Sequence, residues 1–300
     1  MKKLRTLFFL MMAVFITTFF FTGRITSKLS KYEEKKLERM ELLSAENRLT
    51  NAWEWLPGWL SPGEQIMEDS WEIDKEANRY YNSAVKDGVI LLLIIITFLV
   101  VINVVYKSPD LRSQAIGLSL VIASICFFYL GINEPFIEIE AFKDDVEVHG
   151  NLDVIDLEIG AGVEGRVYFF YHNKSVLKLI ELLYKGGNFF VAIALFVFSI
   201  VFPIIKLTTS FVIFLGPEKG FSKNAVAVID KIGKWSMADV FVAGAWLAYF
   251  SFANTEMAIE TGSSTLIGLY FFTIFVVFSI ISGIYLKRTV VRAHQNINGG

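Results

Sequence analysis

The stretch that decides the fold is Gly233 to Tyr249, which reads GKWSMADVFVAGAWLAY. It begins with a glycine, a basic residue and a tryptophan, then continues as an apolar run that contains one carboxylate, Asp239. An ionisable group inside a membrane helix is energetically costly and usually faces a protein interior or a water-filled cavity. The stretch therefore predicts a membrane span in which Asp239 is functional, with other spans bringing polar groups towards it.

The composition places the whole chain among membrane proteins. Its 300 residues are 54% hydrophobic and 15% aromatic, with a mean hydropathy of +0.51, and soluble domains do not reach these values together. The formal net charge of −2 gives no electrostatic basis for binding nucleic acid. A single cysteine, Cys126, excludes an internal disulfide and a zinc ribbon, and three widely separated histidines argue against a metal site. We expect no cofactor.

Six apolar runs predict an all-α polytopic protein with about six transmembrane helices and a small β-rich outer segment. The first run, residues 7–22, lacks the small residues of a signal-peptide cleavage site, so we expect an uncleaved anchor. The other predicted spans are residues 89–106, 113–132, 189–215, 235–254 and 264–286.

Residues 24–87 form the first long polar segment. Five of its apolar residues partly follow helical spacing among lysines and glutamates, namely Leu29, Tyr32, Leu37, Met40 and Leu43. This pattern predicts a surface helix, which is either simply solvated or a docking surface for a partner helix. The following NAWEWLPGWLSPG (residues 51–63) combines turn-forming residues with tryptophans, which favour the headgroup region. We therefore expect the segment to fold back onto the outer membrane surface.

Residues 133–187 form the second polar segment. Loose alternation after residue 136, and the stretches 154–159 and 166–171, predict strands. The intervening GAGVEG (residues 160–165) matches a dinucleotide-binding glycine motif, but no helix follows it, so we interpret it as a glycine-rich hairpin connection. Residues 175–185 predict a short amphipathic helix with Val176, Leu179, Ile180 and Leu183 on one face.

The distribution of Lys and Arg predicts the orientation. With the N-terminus in the cytosol, the short cytosolic segments and the tail carry basic residues. The short outer turn, residues 255–262, has no Lys or Arg and two glutamates. This is the positive-inside pattern, which predicts that both termini are cytosolic and that both long polar segments face outward.

A set of polar residues is predicted inside the membrane. In the fourth span, one helical face carries Ser199, Pro203, Lys206 and Ser210. In the fifth span, Ser236 and Asp239 share a face, and helical rise places Lys206 and Asp239 both near the inner leaflet. An ion pair between them would relieve the cost of burying each charge. Two alternatives are that Lys206 extends to the headgroups and that Asp239 caps its helix.

Three stretches together resemble the paraquat-inducible protein A (PqiA) family, which includes LetA-like integral membrane proteins. They are KWSMADVFVAGAWLAY (residues 234–249), the element Asn133-Glu134-Pro135, and residues 175–207 with Pro203 and Lys206. The resemblance covers about residues 113–286, the four-span unit of the family. It implies a four-span fold similar to tetraspanins and claudins, with Lys206, Ser236 and Asp239 in a polar cluster that could couple lipid movement to proton movement.

The resemblance also implies a function. It suggests a component of the bacterial inner membrane that works with a periplasmic MCE-type protein to move lipids across the cell envelope. This chain departs from the family pattern in having one four-span unit, in lacking zinc-ribbon cysteines, and in having Phe250 and Ser251 where a lysine is frequent. A non-transporting membrane adaptor or envelope-stress protein is the alternative. An enzyme is not expected, because we find no catalytic residue set in the sequence.

These features divide the chain into five parts. They are an N-terminal anchor (1–23), an outer helical and Trp-rich segment (24–87), the second span with its cytosolic turn (88–112), a four-span domain (113–286) with its β-rich insert (133–187), and a cytosolic tail (287–300).

Overall fold

The computed structural model describes residues 2–56, 61–152, 157–215, 244 and 260–298. The long helices are α1 (Lys2–Leu42), α3 (Gly63–Val105), α4 (Pro109–Asn133), α7 (Phe202–Leu215) and α8 (Ile267–Asn298). Shorter helices are α2 (Ala45–Thr50), α5 (Val176–Lys185) and α6 (Phe189–Phe196), with a 3₁₀ turn at Ala52–Trp55 and a π turn at Val197–Val201. The strands are β1 (Ile137–Leu152), β2 (Leu157–Lys174) and β3 (Glu260–Thr265).

Four of the described helical segments are long and apolar enough to cross a membrane. They are α3, α4, the continuous helix formed by α6, the π turn and α7, and residues Ile267–Val291 of α8. The helix predicted at residues 189–215 is confirmed with the same ends. The predicted first span lies within α1. The predicted fifth span lies outside the described residues except for Gly244.

Helix α4 is the centre of the bundle. Its most apolar stretch is 83% buried, against 22% for that of α3. Glycines permit the closest approaches, since a Cβ on Gly117 would lie 2.1 Å from the Phe214 ring of α7 and one on Gly131 would lie 2.8 Å from the Phe272 backbone of α8. Helices in lipid gain little from the hydrophobic effect and associate through such close packing of small residues. The small residues of α4 therefore position its neighbours.

Helices α1 and α3 run antiparallel and continue together well beyond their apolar parts. We call this extension, residues 25–42 of α1 and 63–87 of α3, the stalk. The rings of Tyr32 and Tyr81 have centroids 5.1 Å apart. Asp74 accepts hydrogen bonds from Lys36 at 3.1 Å and from Arg39 at 2.7 Å. The stalk is thus held by a buried aromatic contact and a carboxylate shared between two cations.

The Trp-rich segment, predicted to fold back onto the outer membrane surface, lies between two long helices. Helix α1 continues without a break for 20 residues after Thr22, about 30 Å at 1.5 Å per residue. The turn between α1 and α3 therefore lies at the far end of the stalk, where the side chains of Trp53 and Trp71 are 68% and 63% exposed. Tryptophans beside turn-forming residues occur both at the exposed tip of a helical pair and in a headgroup layer. The amino-acid composition therefore does not distinguish these two locations.

The strands form one antiparallel sheet in the order β2-β1-β3. Strand β3 was not predicted, because residues 255–262 were expected to form a polar turn and the sixth span was expected to begin at Ser264. Instead, Glu260–Thr265 pairs with Ile137–Phe142, and α8 begins at Ile267. The sheet therefore joins two stretches that are more than a hundred residues apart in the chain.

The interpretation of residues 160–165 as a hairpin connection is wrong. These residues lie inside β2: residues 160–163 pair with β1, and Glu164 and Gly165 lie at a bulge, where the register shifts between Asp144 and Val146. At this bulge Asp145 and Gly165 have φ of 55° and 82°, and the Gly165 N–H donates to Asp145 Oδ1 at 2.7 Å. A bulge needs the same left-handed backbone as a tight turn, which explains why glycine suggested the turn.

The predicted amphipathic helix after the sheet is confirmed as α5. Ser175 caps it by accepting from the Lys178 N–H, as expected for a serine before the first helical turn. Val176, Leu179, Ile180 and Leu183 are buried or half-buried, whereas Leu177 and Leu182 are exposed. Lys178 reaches from α5 to Glu33 of the stalk at 2.8 Å, so α5 lies beside the point where the stalk leaves the bundle.

Residues 134–136 and 266–268 form a junction between the sheet and the bundle. The Leu266 N–H donates to Phe136 O at 3.1 Å, and the Gly268 N–H donates to Pro135 O at 2.9 Å. A Cβ on Gly268 would lie only 2.4 Å from Pro135 O. Glycine is therefore required here for α8 to begin directly against the end of α4.

A buried ion pair fastens the tip of the stalk to the sheet. Arg48 of α2 is fully buried and pairs with Glu54 at 2.6 Å. Its guanidinium also donates to the carbonyl oxygens of Glu164 and Arg166 in β2, each at 2.8 Å. All three nitrogens of the guanidinium therefore have acceptors, as a buried cation requires.

We expect Glu54→Gln to loosen the tip, because it leaves the Arg48 cation buried without a compensating charge. Removing one partner of a buried pair costs about 3–5 kcal/mol. Hydrogen–deuterium exchange should then become faster in residues 43–56. The exposed neighbour Glu46→Gln is the control, and equal exchange in the two variants would contradict the assignment.

Candidate functional site

A long cleft lies between α1, α4 and α7. Its volume is about 1330 Å³, and its walls are largely apolar, with Met11, Phe15, Leu118, Ile122 and Phe211 among them. The cleft follows α1 from Met11 to Ser30. This is about 28 Å at 1.5 Å per residue, of which about 16 Å lies along the apolar run that ends at Thr22 and about 12 Å along the polar start of the stalk. The cleft thus leads from inside the apolar layer out past its edge.

One edge of the cleft carries a row of hydroxyl groups at four-residue spacing on α1: Thr18, Thr22, Thr26 and Ser30. Thr22 Oγ1 lies 2.7 Å from Cys126 Sγ of α4, and Thr26 Oγ1 donates to Glu134 Oε1 at 2.7 Å. Residues four apart share one helical face. The row therefore forms a polar edge along an otherwise apolar cleft and connects α1 to α4.

Thr26 of the hydroxyl row contacts Glu134, the middle residue of the predicted element Asn133-Glu134-Pro135. The Glu134 side chain is buried, with 5% of the residue exposed. It follows directly after the last residue of α4. Burial raises the pKa of Glu134 to about 7 from 4.5, and the hydrogen bond from Thr26 opposes that shift. This carboxyl group therefore changes charge near neutral pH.

The other two residues of that element have structural contacts. Asn133 Nδ2 donates to Tyr129 O at 2.9 Å, and Pro135 O accepts from Gly268 in the junction. The predicted element thus combines a helix end, a buried titratable carboxyl group and the start of the sheet. The sequence singled out these positions by resemblance, and the structure places them next to the end of the cleft.

The predicted polar face of the fourth span is found on a helix with an irregular turn. Ser199, Pro203 and Ser210 are buried on one side, while Lys206 is half-buried. Proline has no N–H to donate to the carbonyl four residues earlier, and the π turn Val197–Val201 ends just before it. None of these four residues lines the cleft. Ser236 and Asp239, the predicted partners in the fifth span, lie outside the described residues.

Sequence reasoning missed the hydroxyl row and the cleft. The row has a readable signal, since hydroxyl residues recur every four positions from Thr18, inside the apolar run, to Ser30, beyond its end. The cleft has none, because its walls come from helices that are about a hundred residues apart. Gln114 of α4 also closes the far end, donating from Nε2 to Phe214 O at 2.6 Å, where the last carbonyls of α7 need donors.

Residues 163–293 match the family model described as paraquat-inducible protein A, which confirms the family resemblance. The match covers a little under half of the chain, from within β2 to near the end of α8. Helices α1, α3 and α4 and the element at residues 133–135 precede it, so the cleft combines matched α7 with unmatched α1 and α4. No curated protein and no solved structure matches the chain.

Glu134 should make stability depend on pH. Because its pKa is raised in the folded protein, the folded state binds the proton more tightly than the unfolded chain does. The stabilisation is therefore complete below pH 4.5 and is lost as the pH rises to about 7, by roughly 3 kcal/mol at most. Thermal unfolding in detergent between pH 4.5 and 7.5 should show wild type losing stability relative to Glu134→Gln.

The exposed Glu72→Gln variant is the control for this measurement. It should follow the pH dependence of the wild type. A constant difference between wild type and Glu134→Gln across the whole range would contradict the raised pKa.

Proposed function

We propose that the protein is a non-enzymatic component of a lipid-transport system in the bacterial inner membrane. It would move or load lipids for a periplasmic partner of the MCE type. Membership of residues 163–293 in the PqiA family supports the class of protein, and the four apolar helices support the membrane location. The transport role itself rests on the cleft.

The single observation that carries the proposal is the length and polarity of the cleft. An acyl chain needs an apolar surface along the hydrocarbon core, and a headgroup needs polar contacts at each depth it passes. The cleft offers both, with apolar walls and the hydroxyl row of α1 beside them. Within the apolar run the hydroxyls of Thr18 and Thr22 donate to carbonyls of their own helix, at 2.9 and 2.8 Å, so they present oxygen atoms at the cleft without an unpaired donor.

The orientation proposed from the basic residues puts the sheet and the stalk in the periplasm and both termini in the cytosol. A periplasmic partner would then meet the sheet, α5 or the stalk first. The amphipathic α5 and the exposed aromatic residues of the stalk tip offer apolar contact surfaces there. The junction would connect such contacts to α4 and α8, and so to the cleft.

The intramembrane polar cluster is part of the same proposal. Lys206, with Ser199, Pro203 and Ser210 behind it, would face Ser236 and Asp239 and form a path for lipid headgroups or protons. The π turn before Pro203 supports this, since irregular backbone inside a membrane is frequent at functional sites.

A non-transporting membrane adaptor is the second candidate. The exposed tryptophans at the tip favour it, since Trp53 and Trp71 are large apolar groups held about 30 Å from the apolar end of α1. In that case the stalk tip would bind a partner and the cleft would have no role. The two functions therefore predict opposite results for variants in the cleft and variants at the tip.

Gly23→Phe should block the cleft and abolish lipid transfer. Gly23 lines the cleft, and a Cβ there meets no atom within 4 Å, so a large side chain can enter without breaking the helix packing. We expect at least a tenfold loss of phospholipid transfer between labelled vesicles, with normal expression and folding, because the ring occupies the path.

Gly283→Phe is the matched control for this variant. It also replaces a helical glycine at an open position, but it lies on α8 and does not line the cleft. Equal transfer by the two variants would overturn the transport proposal. A loss of partner capture on Trp53→Ala and Trp71→Ala, with Gly23→Phe unaffected, would establish the adaptor.

Asp239→Asn and Lys206→Ala test the polar cluster separately. If the two residues work as a pair, each change should reduce transfer strongly, and the double variant should be no worse than the more defective single variant. Detergent sensitivity of cells provides a second measure. Wild-type transfer by both single variants would exclude a mechanistic pair.

A further inference from the structure

A second groove lies next to the cleft, on the flank of α1 that faces α3. Its volume is about 960 Å³, and Phe19, Gly23 and Ser27 of α1 line both this groove and the cleft. One end is apolar, with Ile16, Phe19 and Phe20 more than half exposed. The other end is cationic. The groove therefore has the same division into apolar and charged parts as a membrane lipid.

Four cations line the polar end: Arg24, Lys28 and Lys31 of α1 and Arg79 of α3. The residues on α1 are spaced four and three apart, so they share one helical face that continues from Phe20. Within the described part of the chain, no carboxylate is recorded in an ion pair with Lys31 or Arg79. Glu76 also lines the groove but is paired with Lys35 at 3.2 Å. The positive charge at this end thus exceeds the negative charge.

A buried carboxylate fixes two of these cations in place. Asp87 of α3 is 5% exposed and pairs with Lys28 Nζ at 2.6 Å and with Arg24 Nε at 3.2 Å. Arginine has five N–H donors and lysine three, so each retains donors for another acceptor. Because Asp87 already holds both side chains, a ligand would not have to immobilise them, which lowers the cost of binding.

The depth of the first two cations of α1 matches the headgroup layer. Arg24 and Lys28 lie 2 and 6 residues beyond Thr22, the end of the apolar run, which is about 3 and 9 Å along the helix, and Lys31 lies about 14 Å along it. A headgroup layer is about 5–8 Å thick on each side of the hydrocarbon core. A lipid whose chain lay against the exposed phenylalanines would therefore place its phosphate between Arg24 and Lys28, with Lys31 and Arg79 adding positive charge on the outer side.

We infer that this groove binds the phosphate of an anionic membrane lipid. The inference deepens the proposed function and rests on it, since it names the class of lipid that would be collected beside the cleft. Arginine and lysine donate charge-assisted hydrogen bonds to phosphate oxygens, which are stronger than bonds between neutral groups. A zwitterionic lipid also carries a cationic group, which the surplus positive charge would repel. The site therefore selects by headgroup charge.

The test is lipid selection at equilibrium, which does not require transport. The full chain is reconstituted in nanodiscs with equal amounts of phosphatidylglycerol and phosphatidylcholine, and retained lipids are measured by native mass spectrometry after gentle extraction. Wild type should retain the anionic lipid preferentially. The double variant Lys31→Gln and Arg79→Gln removes two exposed cations. A basic residue near a membrane surface contributes roughly 1 kcal/mol to the binding of anionic lipid. Each substitution should therefore lower the preference for the anionic lipid about fivefold.

The matched control is the double variant Lys75→Gln and Lys86→Gln. It changes the net charge equally on exposed positions of α3, and neither residue lines the groove. An equal loss of preference in both double variants, or no preference in wild type, would overturn the inference. Displacement of the bound anionic lipid by inorganic phosphate at constant ionic strength would overturn the assignment to a lipid.

The transport proposal and the binding site can fail separately. If Gly23→Phe leaves lipid transfer intact while the headgroup preference persists, the transport proposal fails and the binding site stands.

Discussion

The close contact between α4 and α8 is the constraint on which the rest of the structure depends. At Gly131 the two backbones approach so closely that a Cβ would meet Phe272 main-chain atoms at 2.8 Å. Two residues further along, the chain leaves α4 through Glu134 and Pro135, and Gly268 approaches from α8 with a main-chain hydrogen bond. Without this approach the pairing of β1 with β3 would lose its starting point. Shape complementarity, rather than the hydrophobic effect, provides the association energy in lipid.

Charged groups outside the apolar layer stabilise what this packing positions. Lys36 reaches Asp74 in the stalk and lies 3.9 Å from Glu138 of β1, and Glu138 also accepts from Ser264 of β3 at 3.0 Å. One lysine thus contacts the stalk and the sheet together. Arg48 does the same at the tip, through Glu54 and the carbonyls of β2. Buried pairs of this kind fix a single arrangement more than they add stability.

The sequence predicted those parts of the fold that are encoded locally. The fourth span and α5 were located to within a residue or two, because hydropathy and periodicity report on single helices. Strand β3 was missed, since its partner is over a hundred residues away and its six residues, ETGSST, have no apolar alternation. The glycines of β2 suggested a turn, because turns and bulges require the same backbone. The hydroxyl row was readable on α1, but its importance depends on α4 and α7, whose placement no local pattern encodes.

The unbroken helices of the stalk have a mechanical consequence. Neither α1 nor α3 is interrupted between the apolar layer and the tip, and hinges require residues that absorb large φ and ψ changes. The stalk is therefore stiff along its roughly 30 Å length, and because Arg48 and Lys36 tie it to the sheet, the stalk and the sheet would move together. A force applied at the tryptophans would reach the membrane as torque on α1, the helix shared by the cleft and the groove.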